Sequence, residues 1–231
     1  MLLSIGTTEK YGSVALLDGE RLLREILLPT TGRSAKTLAP AIDRLFREEH
    51  CPPGGIEAVA VVVGPGSFTG LRIGVATAKA FAYAVGAGIV GMDTMQTVAA
   101  GFPFSNGFLS CAVDAQRGDV VAQTFELSAE GPQPVSERRL ISVAEWWTEK
   151  DRYSGIIFTG PALERFRTKI PEGVILADEP LWMPRASVAG RLAAVRLAAG
   201  ESDDPQSLVP VYSRLSAAEE RRSTDLNRLT L

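Results

Sequence analysis

A short apolar run that leads straight into a glycine-rich turn is the feature that most constrains the fold of this chain. Residues 58–63 are alanine and valine only, which predicts a strand buried on both faces, as in a parallel sheet covered by helices. The turn at residues 64–70 follows at once, and a helix is predicted after it, over about residues 71–85. This strand–turn–helix unit predicts a fold of the α/β class.

The glycine-rich turn is a candidate anion-binding site. Glycine permits positive φ and a close approach of the backbone, and the free N–H groups at a helix N-terminus attract anions. The turn lacks the Lys-Ser/Thr of a P-loop and the G-x-G-x-x-G spacing of a dinucleotide site. A tight turn that only positions the helix is therefore the alternative. The candidate contacts are Gly64, Gly66, Ser67, Thr69 and Gly70.

The helix after this turn is apolar on nearly all sides, which predicts cover on more than one side. Its mildly polar stripe is predicted to face a helix of a partner protein. Another helix, predicted over residues 34–49, is expected alongside it and contributes its own apolar stripe. Burial of the glycine-turn helix within the chain itself is the alternative. The predicted partner contacts are Leu38, Ile42, Arg72, Ala76, Lys79 and Tyr83.

The pattern of elements along the chain predicts two lobes. An antiparallel meander opens the chain, and Asp18-Gly19 predicts the turn between its second and third strands. The second half again begins with two strands and then mixes helices and strands, and residues 101–107 are the expected junction. The predicted domains are residues 1–103 and 104–231, each a mixed sheet flanked by helices.

Composition excludes several classes of protein. With 24 Lys and Arg against 27 Asp and Glu, the chain has no excess of basic residues that would favour strong binding to nucleic acid by itself. One histidine, His50, argues against a zinc peptidase, and Cys51 and Cys111 have no metal-ligand spacing. The sequence shows neither an apolar run long enough to span a membrane nor a signal peptide, so a cytoplasmic protein is expected.

Two positions bear on phosphotransfer chemistry. Asp114 follows an apolar strand, where a carboxylate can hold a metal–phosphate group, but it can equally cap the turn in which it lies. Gly6 stands at the end of the first strand, where an active phosphotransferase of the two-lobed type would carry an acidic residue. The sequence therefore predicts no catalytic residue and no metal site.

Five segments together resemble the TsaB (YeaZ) family of tRNA threonylcarbamoyladenosine biosynthesis. The most specific is Gly-Pro-Gly-Ser-Phe-Thr-Gly-Leu-Arg-Ile-Gly at residues 64–74. The resemblance spans nearly the whole chain, but Gly6 departs from it, since the family usually has aspartate there. The supporting segments are residues 4–8, 91–94, 113–121 and 210–214.

The resemblance implies an α/β fold of two actin-like (ASKHA, ribonuclease H-like) lobes and a non-catalytic role. It implies pairing with the catalytic subunit TsaD, with the ATPase TsaE joining, in a complex that installs N6-threonylcarbamoyl on adenosine 37 of ANN-decoding tRNAs. By this resemblance the isolated chain needs no cofactor, ATP and metal belong to partner subunits, tRNA is reached through the complex, and the chain alone can form a homodimer. An active actin-like ATP-dependent phosphotransferase is the alternative.

Overall fold

The computed structural model describes residues 1–8, 11–29, 34–103 and 106–214. Within these residues the first half of the chain has the predicted order of strands and helices. The second helix begins earlier than the predicted residue 71, because Ser67 caps its first turn. The elements are β1 (Leu2–Gly6), β2 (Ser13–Asp18), β3 (Arg21–Leu27), α1 (Ser34–Glu48), β4 (Ala58–Gly64), α2 (Phe68–Val85), β5 (Gly88–Asp93) and α3 (Thr94–Ala100).

The second half contains two strands that the sequence does not predict, β8 and β9. Both are short and pair with the same neighbouring strand, β7, and β8 contains prolines, which are tolerated at a sheet edge. The elements are β6 (Gly107–Asp114), β7 (Asp119–Ser128), β8 (Gly131–Pro134), β9 (Arg139–Ser142), α4 (Val143–Trp147), β10 (Ile157–Thr159), α5 (Ala162–Phe166), β11 (Ile175–Leu176) and α6 (Ala186–Ala198).

The first sheet has the strand order β3-β2-β1-β4-β5. The meander is confirmed, since β1, β2 and β3 pair antiparallel, while β4 runs parallel to both β1 and β5. The Ala-Val strand is therefore an interior strand and is buried along most of its length, as predicted.

Helices cover both faces of the first sheet. One face packs against α1 and α2 in a cluster that includes Leu45 and Val75. The other face packs against α6, whose fully buried residues in this cluster are all alanines. A Cβ at Gly190 of α6 would lie 2.4 Å from Leu17 Cδ1, so glycine is what allows this helix to approach the sheet so closely.

The second sheet has the order β11-β10-β6-β7-β8, and β9 pairs with the other end of β7. Its core contains the stacked rings of Trp146 and Trp147, with Phe158 against both. The indole N–H of the fully buried Trp146 donates to Ser110 Oγ at 2.8 Å, so this buried polar group has a hydrogen-bond partner.

Each sheet is completed by a helix from the other half of the chain. The helix α6, although it follows the predicted boundary, packs on the first sheet, whereas α3 precedes that boundary and packs into the core of the second. The boundary at residues 103 and 104 stays a prediction, and residues 104–105 lie outside the described part. Below, the first lobe is the first sheet with α1, α2 and α6, and the second lobe is the second sheet with α3, α4 and α5.

Candidate functional site

The glycine-rich turn joins the end of β4 to the start of α2. Gly64 has a φ of 125°, in the region that favours glycine. Ser67 is the N-cap of α2, and its Oγ accepts a hydrogen bond from the Gly70 N–H at 3.4 Å. The Ser67 N–H donates to the Thr8 carbonyl at 2.7 Å, so the turn lies against the residues that follow β1.

Two glycines of this segment are required by the close packing of Thr7. A Cβ at Gly70 would lie 2.0 Å from the Thr7 carbonyl oxygen, and a Cβ at Gly74 would lie 2.3 Å from Thr7 Oγ1. The buried Thr7 hydroxyl also donates a hydrogen bond to the Gly70 carbonyl at 2.8 Å. Packing between the end of β1 and α2 therefore accounts for both glycines without a ligand.

Gly64 is required by a different contact. The Val211 N–H donates to the Val63 carbonyl at 2.7 Å, which brings the C-terminal segment against the end of β4. A Cβ at Gly64 would lie 2.2 Å from the Val211 carbonyl oxygen. The glycine-rich turn thus touches residues 210–214, which are far away in the sequence.

The solvent-facing part of the turn is its serine and threonine. Ser67 and Thr69 are exposed at the first turn of α2, whereas Gly64 and Gly70 are buried and Gly66 is half-buried. These exposed hydroxyls are the atoms that an anion could reach beside the helix N-terminus. Anion contact at the turn stays a prediction.

The end of β1 has room for a Cβ atom at position 6, where the sequence has glycine. A Cβ at Gly6 would meet Val62 Cγ2 at 3.7 Å and both the Ala186 nitrogen and the Ser13 carbonyl oxygen at 3.8 Å, all ordinary contacts. Packing at the Cβ position therefore does not impose glycine here. At position 6 the sequence therefore lacks the strand-end carboxylate that an active two-lobed phosphotransferase would carry.

Asp114 is engaged within the chain. Its Oδ1 accepts a hydrogen bond from the Gln116 N–H at 2.8 Å, and its Oδ2 pairs with Arg165 Nη1 at 2.7 Å. Of the two roles that the sequence leaves open, this geometry favours the turn. Gln116 and Arg117 adopt positive φ in the same turn, which ends at Gly118.

The cysteines and the histidine do not form a reactive group. Both Cys51 and Cys111 are buried and free, and burial raises the pKa of the Cys111 thiol well above its ordinary value, with the nearby Asp93 charge adding to the effect. His50 lies exposed just after α1. Among residues 1–8, 11–29, 34–103 and 106–214, no cluster of three or more His, Cys, Asp or Glu side chains could hold a metal ion.

No helix in the described ranges has both the length and the apolar character needed to cross a bilayer.

The predicted stripe on α2 is accessible in the monomer. Tyr83 is 91% exposed. Ala76, which lies about two turns earlier on the same face of α2, is also exposed. Arg72 is exposed as well, and Lys79 is half-buried. An exposed aromatic side chain on the same helix face as a small residue offers a surface that a partner helix can cover.

Two of the predicted partner contacts are instead in the core of this chain. Leu38 and Ile42 are 1% and 6% exposed and pack with Leu16 and Val59 of the first sheet. The apolar stripe of α1 faces its own sheet, as the stripe of an amphipathic helix normally does. The prediction that these two residues contact a partner is therefore wrong.

The C-terminal segment reaches two residues of the α2 stripe. Arg72 Nε donates to the Tyr212 hydroxyl at 2.9 Å, and its guanidinium lies 3.9 Å from the centre of the Phe68 ring. Lys79 Nζ donates to the Leu208 carbonyl at 3.1 Å. Ala76 and Tyr83, by contrast, are both exposed, and we call these two residues the open part of the stripe.

A buried ionic group that the sequence does not reveal holds the start of α6. Glu25 of β3 accepts hydrogen bonds from Arg185 Nη2 at 2.9 Å and Ser187 Oγ at 2.8 Å. Burial opposes the charge of Glu25, but hydrogen bonding and the positive charge of Arg185, together with Ser187 and Ser13, outweigh it and lower the pKa. Glu25 and Arg185 are 160 positions apart in sequence, and Glu25 lies in a strand that also contains Arg21 and Arg24, so no local pattern reveals the group.

Two relatives match this chain along nearly its whole length, and both have the same description. The tRNA threonylcarbamoyladenosine biosynthesis protein TsaB of Bacillus subtilis (strain 168) is 27% identical over 227 residues, which cover 95% of this chain and 96% of that protein. The TsaB protein of Escherichia coli (strain K12) is also 27% identical, over 232 residues, covering 94% and 96%.

A solved structure shares the fold, and a family model matches most of the chain. The structure described as YeaZ from Pseudomonas aeruginosa superimposes with a TM-score of 0.76 at 24% identity, covering 91% of this chain and 98% of that one. The model described as "TsaD: tRNA N6-adenosine threonylcarbamoyltransferase" matches residues 30–219. The chain therefore shares the fold of that structure, and its two mixed sheets flanked by helices are those expected for an α/β protein. It belongs to the family that the TsaD model describes, and within that family to the TsaB (YeaZ) group.

Proposed function

We propose that this chain is the non-catalytic partner subunit of the complex that installs N6-threonylcarbamoyl on adenosine 37 of ANN-decoding tRNAs. The observation that carries the proposal is the open part of the α2 stripe, where Tyr83, which is 91% exposed, lies on the same helix face as the exposed Ala76. Both B. subtilis and E. coli relatives are TsaB proteins of threonylcarbamoyladenosine biosynthesis, which supports the assignment to this pathway.

The state of the phosphotransfer positions supports an accessory role. Position 6 offers no carboxylate, and both Asp114 oxygens are engaged by groups of the chain itself. Close packing inside the first lobe explains why glycine stands at positions 64 and 70. Together these features favour a surface that supports a partner over a site that performs phosphotransfer.

The partner that this proposal names is TsaD, docked through α2, with TsaE joining the pair. The chain itself binds no cofactor, while ATP and metal act on the partner subunits, and tRNA is reached through the complex. In the absence of TsaD, a second copy of this chain can occupy the same face of α2.

Replacing Ala76 by arginine is expected to weaken pairing with TsaD by at least about ten- to hundred-fold. The new side chain places bulk and an unpaired charge between two helices, and overpacking alone costs about 1–3 kcal/mol. Because Ala76 is exposed in the monomer, the variant's melting temperature should change little. The measurements are titration calorimetry with TsaD and thermal unfolding of the isolated chain.

Ala198→Arg is the matched control, because Ala198 is also exposed on a helix but lies on α6. It should leave pairing unchanged. If Ala76→Arg pairs as tightly as the parent, the partner docks elsewhere. If it unfolds the monomer, the surface assignment of this position is mistaken.

The purified chain alone is expected neither to hydrolyse ATP nor to modify tRNA. The reason is the absence of a carboxylate at position 6 together with the engagement of Asp114. Phosphate release and threonylcarbamoyl transfer to tRNA transcripts are measured with the chain alone and with TsaD and TsaE added. Turnover by the chain alone, unaffected by removal of copurifying proteins, would favour the phosphotransferase alternative.

A further inference from the structure

Residues 203–214, here called the strap, are fastened along the first lobe. Near its start, Asp203 Oδ2 accepts a hydrogen bond from the Gly91 N–H at 2.7 Å. Further on, Lys79 of α2 donates to the Leu208 carbonyl, and the Val211 N–H donates to the Val63 carbonyl at 2.7 Å. The strap therefore follows the first lobe from β5 to the glycine-rich turn without forming a strand of its own.

The far end of the strap reaches the second lobe. The Tyr212 ring lies 4.7 Å from the Phe68 ring, centre to centre, and still belongs to the first lobe. Two residues later, Arg214 forms an ion pair with Asp119, the first residue of β7. Their side chains are 22% and 32% exposed, so the pair is partly shielded from solvent.

We propose that the strap is a latch that holds the two lobes in one relative orientation. Val211 is tied to β4 and Arg214 to β7, and the few residues between them span at most about 11 Å when fully extended. While both ties hold, this reach limits how far Val63 and Asp119 can move apart. The two lobes therefore cannot open beyond this reach at this edge unless the Val211 hydrogen bond or the Arg214 ion pair breaks.

A second inter-lobe tie has to be considered with the latch. Asp93, at the end of β5, pairs with Arg138, which precedes β9. The helices α3 and α6 also contact each other across the lobes. The latch is therefore best tested in an Arg138→Gln background, in which the second ion pair is already absent.

Inter-lobe distance in the full chain is the direct measurement. Leu27 on β3 and Ile175 on β11 lie on the outer strands of the two sheets and are 56% and 51% exposed, so both can be replaced by cysteine for spin labels. The native Cys51 and Cys111 are buried and should not be labelled. Pulsed electron resonance then gives the distribution of label distances.

With the latch intact, one narrow distance population is expected in the Arg138→Gln chain. Adding Arg214→Gln should broaden this distribution or shift part of it to longer distances. Asp119→Asn, which removes the same pair from the other side, should reproduce that change and serves if Arg214→Gln does not fold. Arg44→Gln, which removes a pair with Glu48 inside α1, should leave the distribution unchanged. Identical distributions with and without the Arg214–Asp119 pair would overturn the proposal.

Discussion

Replacing Gly70 by alanine is expected to destabilise the chain by about 3 kcal/mol or more, because a backbone atom stands where the new methyl group must go. The Cβ would lie 2.0 Å from the Thr7 carbonyl oxygen. Relief requires α2 to move away from β1, which also breaks the hydrogen bond from the Thr7 hydroxyl to the Gly70 carbonyl. For a chain of this size, a loss of this order lowers the melting temperature by roughly 6–12 °C.

Gly54→Ala is the control for this substitution. Gly54 has open space around its Cβ position and lacks a positive φ, so alanine there should be nearly neutral. Urea unfolding of the two variants and the parent gives the free energies of unfolding. A Gly70→Ala variant as stable as Gly54→Ala would show that packing does not require glycine at position 70.

Replacing Glu25 by alanine is expected to cost about 2–3 kcal/mol, since it leaves Arg185 and Ser187 without their carboxylate at the start of α6. This loss of stability is smaller than that expected for breaking a fully buried ion pair, because the Arg185 side chain is 37% exposed. Glu201→Ala removes an exposed glutamate that accepts from Arg196 at 3.0 Å, and it should cost less than about 1 kcal/mol. Unfolding of the three proteins in urea measures the difference.

The contribution of Glu25 should depend on pH. Its pKa is lowered in the folded chain, so the charged form is favoured by folding. The stabilisation is fully present above the unfolded pKa of about 4.3 and is lost as pH falls through the folded value. The stability difference between parent and Glu25→Ala should thus be constant near neutral pH and shrink below about pH 4. A difference that does not shrink in acid would mean that Glu25 acts through packing and not through its charge.

Local patterns predicted the first sheet well, because its signals are carried by neighbouring residues. The hairpin turn at Asp18-Gly19 and the Ala-Val strand each appear where their residue types favour them. The apolar pattern predicts the start of α2 at residue 71, which is too late, because the pattern begins only after Ser67, the cap of the helix.

The placement of α6 and of the strap could not be predicted, because both depend on contacts between distant segments. An apolar helix such as α6 fits either sheet by its pattern, and contacts between distant segments, such as Gly190 with Leu17 and Arg185 with Glu25, place it on the first sheet. The same limit affects the site. The apolar stripe of α1 has the same sequence pattern whether it faces a partner or its own sheet. In the structure, Leu38 faces the sheet.

The docking of α6 on the first sheet has a consequence for synthesis of the chain on the ribosome. The face that holds Leu2, Leu17 and Val62 is complete only after residues 186–198 have emerged, and every strand of the second sheet is made before them. At about 5–20 residues per second, this apolar face waits for several seconds without its cover. The nascent first lobe is thus a substrate for chaperones that bind exposed apolar strands, and a gene cut between the two sheets yields two fragments that each lack a helix.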